Sequence, residues 1–548
     1  MTDRNQSNRY EGGDLVVESL KNLGVGQIFS VSGGPINSIY RAAAAHDLPL
    51  VHTRHEAAAG FMAEAVSRQT GVPGVVAVTV GPGVTNTVTP AFVAGRAGTP
   101  LLILGGQVPT PMFDRGAILA GDSVAIMTPV TKWSARVLQT ERIPEYIEAA
   151  WRHMWSGRPG PVFLEIPADV LSAQVARLPP ARYQVPRPGL DPEAGAALAA
   201  ALSQARRPLL VVGDDCHWAP PARLREVIET LGLPFVTARL ARGVVDERHP
   251  LWAGVGYVPA NETLGRALGE ADLVMLLGHH FEADLGYGQA VREDAAVVQC
   301  VVDAGTLGRN RRATVGVVAA PAAVIDFMAG LAPGPVEEAW VEATTGAWNA
   351  EREAQAGGDP ASPPVHPVAA VDAVVAALPE NTVYVTSHGN VDFWADARIR
   401  VPGHRHYLRA GQAGALGTEI PYGIGAKFAE PDRPVVFFVG DGGVGYHALE
   451  LDTAERHGRP VVVVVLDDQK WSAIALPQQR SYGEDYEMDL PARDWPGLAR
   501  ALGGFGATAR TLEEIGQAVQ DALASNQPAI VQVPVRAVLS PYMDYVSR

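Results

Sequence analysis

Short runs of apolar and β-branched residues alternate along this 548-residue chain with Ala-rich segments of helical spacing, as where GVVAVTVGPG leads into TNTVTPAFVAGRAG and then LLILGG. A strand that is apolar on both faces has to be covered on both, which an open parallel sheet with helical crossovers achieves. The expected fold class is therefore α/β, built from open parallel-sheet domains. The longest apolar runs, LLILGG at 101–106 and VVVVVL at 461–466, fall far short of the ~18 residues needed to cross a bilayer. They read as buried strands, and no membrane partner is expected.

Two breaks in composition interrupt the alternation: Leu178–Pro192 (LPPARYQVPRPGLDP), dense in Pro and Arg, and Gly357–Pro367 (GGDPASPPVHP), dense in Gly, Pro and Ser. They divide the chain into three α/β domains at 1–178, 192–335 and 364–548. Asp191 and Pro192 form an N-cap and first-turn pair for the helical stretch EAGAALAAALSQARR. With 44 basic against 59 acidic residues and a net charge of −15, the chain is poorly suited to neutralising nucleic-acid phosphates over a broad surface. Cys216 and Cys300 are the only cysteines and form no CxxC pair, which fits neither a disulfide framework nor a zinc ribbon. The polar start MTDRNQSNRYEGGD lacks the apolar core of a secretory signal, so a cytoplasmic location is expected.

The strand VVFFV (435–439) runs into Gly440-Asp441-Gly442-Gly443. An acid at the carboxyl end of a parallel strand, among glycines that let backbone approach a ligand, suits a metal–phosphate site; alone, such a turn is more often a tight connection. The 25 residues between Gly442 and Asp468, the second of the pair Asp467-Asp468 that follows VVVVVL, are a length that fits one crossover helix. Asp441 and Asp468 would then end neighbouring strands and converge on one hard cation, without which they would repel. In the first domain, Glu56 of Thr53-Arg54-His55-Glu56-Ala57-Ala58-Ala59-Gly60 opens a helix. On its own it reads as a first-turn carboxylate favoured by the helix dipole, worth only ~0.3–1 kcal/mol.

The strand, GDG, spacer and acidic pair resemble the diphosphate-and-magnesium motif of thiamine-diphosphate-dependent enzymes. RHE at 54–56 with Gly81-Pro82-Gly83-Val84-Thr85-Asn86 is similar to the pyrimidine-binding domain of acetolactate synthases, benzaldehyde lyase and 2-hydroxyacyl-CoA lyases. MTPVTKWSARV (127–137), GRPGPVFLEIPADV (157–170), GRN (308–310), GAL (414–416) and GYHALELDTAERH (445–457) extend the resemblance over nearly the whole chain. It implies that Asp441, Asp468 and the Lys470 carbonyl hold Mg²⁺, and that Glu56 bonds N1′ of the cofactor pyrimidine to promote loss of the C2 proton. Pro82, Asn86, Gly389, Asn390, Gly414, Gly440, Gly442, Gly443, Trp471, Ser472 and Ala473 would contact thiamine diphosphate, and Leu416 would wedge beneath its bend.

The pocket departs from the pattern. The usual second metal ligand is Asn, where this chain has Asp468. Benzaldehyde lyase has His where Pro35 follows Gly34, many members have Gln near Ile118 or Leu119, some hydroxyacyl-CoA lyases have Glu where Ile474 stands, and Glu419 takes the place of a common Gly. Leu119, Ala473 and Ile474 would line a drier pocket, unless they are simply core residues. His388, Gln478 and Gln479 are the candidates for the missing proton relay. His279-His280 sits in a stretch that carries a nucleotide or FAD in some relatives, but without an Arg there FAD is not expected.

The resemblance implies C–C bond cleavage or formation on small 2-keto or 2-hydroxy carbonyl compounds through a C2 carbanion, with sites at the interface of a homodimer or homotetramer. One alternative is a 2-hydroxyacyl-CoA lyase or oxalyl-CoA-decarboxylase-like enzyme, with Arg309, Arg311 and Arg312 facing a CoA ester. Another is a non-catalytic, cofactor-binding assembly subunit, against which the retained Glu56 argues.

Overall fold

Three six-stranded sheets, each wholly parallel, carry the fold. A computed structural model describes residues 10–185, 187–257, 262–354, 361–386 and 388–540. The first sheet comprises β1 (Ile28–Val31), β2 (Leu50–His52), β3 (Gly74–Val78), β4 (Leu101–Gln107), β5 (Trp133–Arg136) and β6 (Pro161–Pro167), in the order β2-β1-β3-β4-β6-β5. The second comprises β7 (Pro208–Val212), β8 (Phe235–Thr237), β9 (Trp252–Val255), β10 (Leu273–Leu277), β11 (Ala296–Val301) and β12 (Val315–Val318), ordered β12-β11-β10-β7-β8-β9. The third comprises β13 (Val383–Thr386), β14 (Tyr407–Arg409), β15 (Val435–Gly440), β16 (Val462–Asp467), β17 (Phe505–Thr508) and β18 (Ala529–Pro534), ordered β14-β13-β15-β16-β18-β17.

The apolar runs become fully buried strands, β3, β4, β7 and β16 among them, because helices lie over both faces of an all-parallel sheet. The Asp191 carboxylate caps the Pro192–Gln204 helix by accepting from the amides of Glu193 and Ala194. Residues 178–185 and 187–191 form neither helix nor strand; in the second composition break, residues 357–360 lie outside the described residues. Among the described residues no helix is long and apolar enough to cross a membrane. Cys216 and Cys300 are buried free thiols.

Topology explains where a ligand can sit. In an open α/β sheet the crevice lies beyond the carboxyl ends of the strands, where the winding direction reverses. In the first sheet that point falls between β1 and β3, whose exits carry Gly34-Pro35 and Gly81-Pro82; in the third it falls between β13 and β15, whose exits carry His388–Asn390 and Asp441. The first and third sheets share one winding scheme, and the middle sheet follows another.

The chain divides into two compact units, Met1–Pro186 with Ala410–Pro431 and His447–Arg459, and Arg187–Arg409 with Asp432–Tyr446 and Pro460–Arg548. The second unit holds a buried ionic cluster. Arg242 and Glu247, both with fully buried side chains, pair at 2.6 Å, and Arg242 also donates to the carbonyls of Asp396 and Ile399. Asp396 accepts from Arg409, Arg239 and Tyr407. Removing one partner leaves a buried charge uncompensated, so Glu247→Ala should lower stability by ~3–5 kcal/mol, read as a fall in the denaturation midpoint.

Candidate active site

Glu56 is the first residue of the Glu56–Thr70 helix, whose N-cap His55 accepts through its ring Nδ1 from the Ala57 amide at 3.0 Å. The half-buried Glu56 carboxylate accepts from Asn86 Nδ2 at 2.9 Å. Asn86 ends the short Pro82–Thr85 helix beyond β3, and Gly81 enters that turn at φ +62°. A Cβ on Gly81 would lie 2.5 Å from the Leu119 carbonyl oxygen, so the turn that aims Asn86 requires glycine twice over. Gly414 and Leu416 lie in the loop before the Glu419–Ala429 helix, which packs along the Glu56–Thr70 helix; Glu419 is buried in its first turn.

In the second unit, β15 and β16 pair in parallel with Gly440 opposite Leu466, so Asp441 and Asp468 leave adjoining strands side by side. Burial, then the charges of Asp468 and Asp467, pushes the Asp441 pKa up to about 8. Burial also raises Asp468 to about 6, against the pull of Ser472 and the Lys470 amide. Asp467 is drawn aside: its Oδ1 accepts from the Gln469 amide at 3.2 Å and its Oδ2 from Gln532 Nε2 at 2.6 Å. The Lys470 ammonium is turned to Asp485 and Asp489 and does not neutralise the pair. Gly442 lies against the Trp471 indole, which a Cβ would approach to 2.5 Å. Next to them opens a cavity of about 420 Å³ lined by Asp441, Gly442, Tyr446, Trp471, Arg493 and Trp495 among others.

Comparison with known proteins identifies the arrangement. Residues 10–126 match the N-terminal TPP binding domain of thiamine pyrophosphate enzymes, 196–328 their central domain and 387–533 their C-terminal TPP binding domain. The chain is 31% identical over 547 residues to the acetolactate synthase large subunit IlvG of Mycobacterium tuberculosis, covering 97% of each. It is 30% identical over 542 residues to human 2-hydroxyacyl-CoA lyase 2, covering 90% of this chain and 84% of that one. The chain belongs to the thiamine pyrophosphate enzyme family. It is also 29% identical over 539 residues to the Escherichia coli acetolactate synthase isozyme 1 large subunit, covering 96% and 94%. It is accordingly a thiamine-diphosphate-dependent enzyme of the lyase and carboligase kind.

The residues present fit that cofactor. Asp441 and Asp468 are crowded carboxylates with raised pKa values, and among the described residues no group of three or more His, Cys, Asp or Glu side chains is placed to share a metal ion. A divalent ion there would rest on two carboxylates and complete its shell from backbone and phosphate oxygens, a donor set of hard oxygens. At the other crevice, an amide-oriented acid stands ready for a protonated ring nitrogen.

Other positions are already engaged. Asn390 donates to the Val538 carbonyl at 2.7 Å and accepts from the Ser540 amide at 2.6 Å, so its side chain is held by the C-terminal segment and only its backbone remains for a ligand. Gln478 Oε1 accepts from the Tyr486 amide at 3.1 Å and Gln479 donates to Asp485; both brace their own turn. Burial, then the charges of Arg409 and Arg239, holds His388 well below its ordinary pKa, which disfavours the proton-carrying form. Pro35 is half-buried in the Gly34–Ile36 turn. Leu119 and Ile474 are 49% and 47% exposed and therefore are not core residues, while Ala473 packs against the core of the second unit and Ser472 opens the Ser472–Tyr482 helix. In the middle sheet, burial alone would lower His279, but the Asp284 carboxylate at 3.1 Å outweighs it and raises the pKa to about 9.

Gln532, whose amide takes up Asp467 beside the candidate site, was not singled out by sequence reasoning. Its signal is a lone amide in the apolar strand AIVQVP, and its side chain holds the Oδ2 of Asp467, the first of the two adjacent aspartates.

Asp441 and Asp468 bind protons more tightly folded than unfolded, so cofactor-free protein should lose stability as pH rises from about 4. The loss should continue to about 8, the Asp441 value, and then level off. Asp441→Asn should remove most of that slope, as melting temperatures of both proteins across this range will show.

Proposed function

We propose that this enzyme cleaves or joins carbon–carbon bonds next to the carbonyl of small 2-keto or 2-hydroxy compounds, including decarboxylation with acyl transfer. The observation that carries this reading is that the same chain holds two half-sites, one in each compact unit: crowded acids at the ends of β15 and β16, and an acid oriented by an amide at the end of β3. In this reading Asp441 and Asp468, with the Lys470 carbonyl, hold Mg²⁺ against the diphosphate. Glu56 holds a proton at N1′ of the pyrimidine, and Asn86 fixes the direction of its carboxylate. Thiamine diphosphate, when bound, would supply a nucleophilic ring carbon that adds to the substrate carbonyl and a cationic ring that takes up the electron pair of the broken bond. Leu416 supports the cofactor from one side, and the Trp471 indole with exposed Ile474 keeps the substrate end apolar, which strengthens electrostatic contacts there.

We further assign the working form to a cytoplasmic homodimer or homotetramer in which Glu56 of one subunit faces the acids of its partner. The similarity to 2-hydroxyacyl-CoA lyase 2 favours a CoA ester as the second reading. Arg309 and Arg312 are exposed and would face it, whereas Arg311 is tied to the Arg292 carbonyl.

Purified protein with thiamine diphosphate and Mg²⁺, incubated with 2-keto acids, acyloins and 2-hydroxyacyl-CoA esters, should give a product by mass spectrometry in one class; a blank panel would overturn the reading. Asp441→Ala or Asp468→Ala should weaken diphosphate and metal binding by ~1–3 kcal/mol, measured by calorimetry. Co-refolding the inactive Glu56→Gln and Asp441→Ala chains in equal amounts should restore about a quarter of wild-type activity if sites are shared across a two-fold interface, and none if each chain holds its own.

A further inference from the structure

The backbone that delivers Glu56 is held by an acid nearly four hundred residues away in sequence. Glu450, 1% exposed, ends the turn Ala448–Glu450 ahead of the Leu451–Arg456 helix. Its Oε1 accepts from the amides of Arg54 and His55, both at 3.0 Å, and its Oε2 from the Arg54 amide at 3.2 Å and Thr453 Oγ1 at 2.6 Å. Further bonds run along the same seam. Arg54 Nε donates to Asp452 at 2.7 Å and Arg456 to the His52 carbonyl at 2.8 Å. The His55 ring meets that of His447 edge-on at 6.1 Å, and His447 Nδ1 lies 2.8 Å from the Gly417 carbonyl. All these residues belong to one compact unit.

Arg54 and His55 precede the helix, so their amides have no partner within it. A buried carboxylate is a costly way to satisfy two amides unless their placement matters, and these two belong to the residues directly before Glu56. Burial pushes the Glu450 carboxyl up, and Thr453 and the two amides pull it back. From these contacts we infer that Glu450 is a positioning residue for the activating acid: by clamping the peptide at 54–55 it sets the angle at which Glu56 enters the helix and reaches Asn86. This rests on the role proposed above for Glu56.

The test compares wild type, Glu450→Ala and Glu450→Gln as full-length protein with thiamine diphosphate and Mg²⁺. Gln keeps a carbonyl for both amides and turns its NH₂ to Thr453, so it should exchange the cofactor C2 hydrogen with D₂O within about twofold of wild type, as a retained neutral hydrogen bond allows. Ala should slow that exchange by roughly tenfold or more, the scale of a small misplacement of a reacting group. Cofactor affinity by calorimetry should stay near wild type, and backbone amides at 54–56 should exchange faster in cofactor-free protein. A defect in stability alone would leave the exchange rate per bound cofactor unchanged. Wild-type C2 exchange in Glu450→Ala, with Glu56→Gln slow, would overturn the inference and leave the reading of Glu56 standing. Normal exchange in Glu56→Gln would overturn both. If Glu450→Ala does not fold, Thr453→Val, which removes the 2.6 Å donor to Glu450, should shift C2 and amide exchange in the same direction by less, and no shift there would count equally against the clamp.

Discussion

Two carboxylates placed side by side at the ends of β15 and β16 are the constraint around which the crevice of the third sheet is arranged. Parallel pairing of β15 with β16 brings their ends together, and burial prevents water from screening the repulsion. The surroundings supply only partial relief: Ser472 and the Lys470 amide favour the charged Asp468, but the Lys470 ammonium faces away and Asp467 adds charge of its own. In the reading proposed above, a divalent ion would relieve this crowding, so that its binding and the stability of the site would be coupled.

The other half works through orientation. Glu56 acquires its direction from a helix start, an amide partner and a glycine turn, each supplied by a different strand exit or helix end. Asn86 and Asp441 each follow a strand, β3 and β15, that borders the point where its sheet reverses winding, and the first and third sheets wind alike, so one topological rule places both.

Much of this was legible in the sequence because strand ends turn spacing into adjacency. A buried strand, an acid, one crossover and a second acid suffice to bring Asp441 and Asp468 together, and Glu56 opens its helix where the small-residue run begins. What was not legible depends on contacts with no local signature. Gln532 captures Asp467 from 65 residues away, and Glu450 reaches Arg54 across 396. Asn390, Gln478 and Gln479 carry amides that suit a ligand but are used by Val538, Ser540, Tyr486 and Asp485. Leu119 and Ile474, residue types that are usually buried, stand half in solvent.

The compact unit that contains Glu56 is discontinuous: it incorporates Ala410–Pro431 and His447–Arg459 beside the first 186 residues. During translation the early sheet emerges long before those two segments, and domains generally begin folding in the order they are synthesised. The nascent first sheet therefore waits with the flank of its Glu56–Thr70 helix uncovered, and its acid gains a fixed entry angle only after the ribosome has passed residue 459. A truncated chain released earlier would expose that apolar flank, making premature termination a route to aggregation rather than to a partly working enzyme.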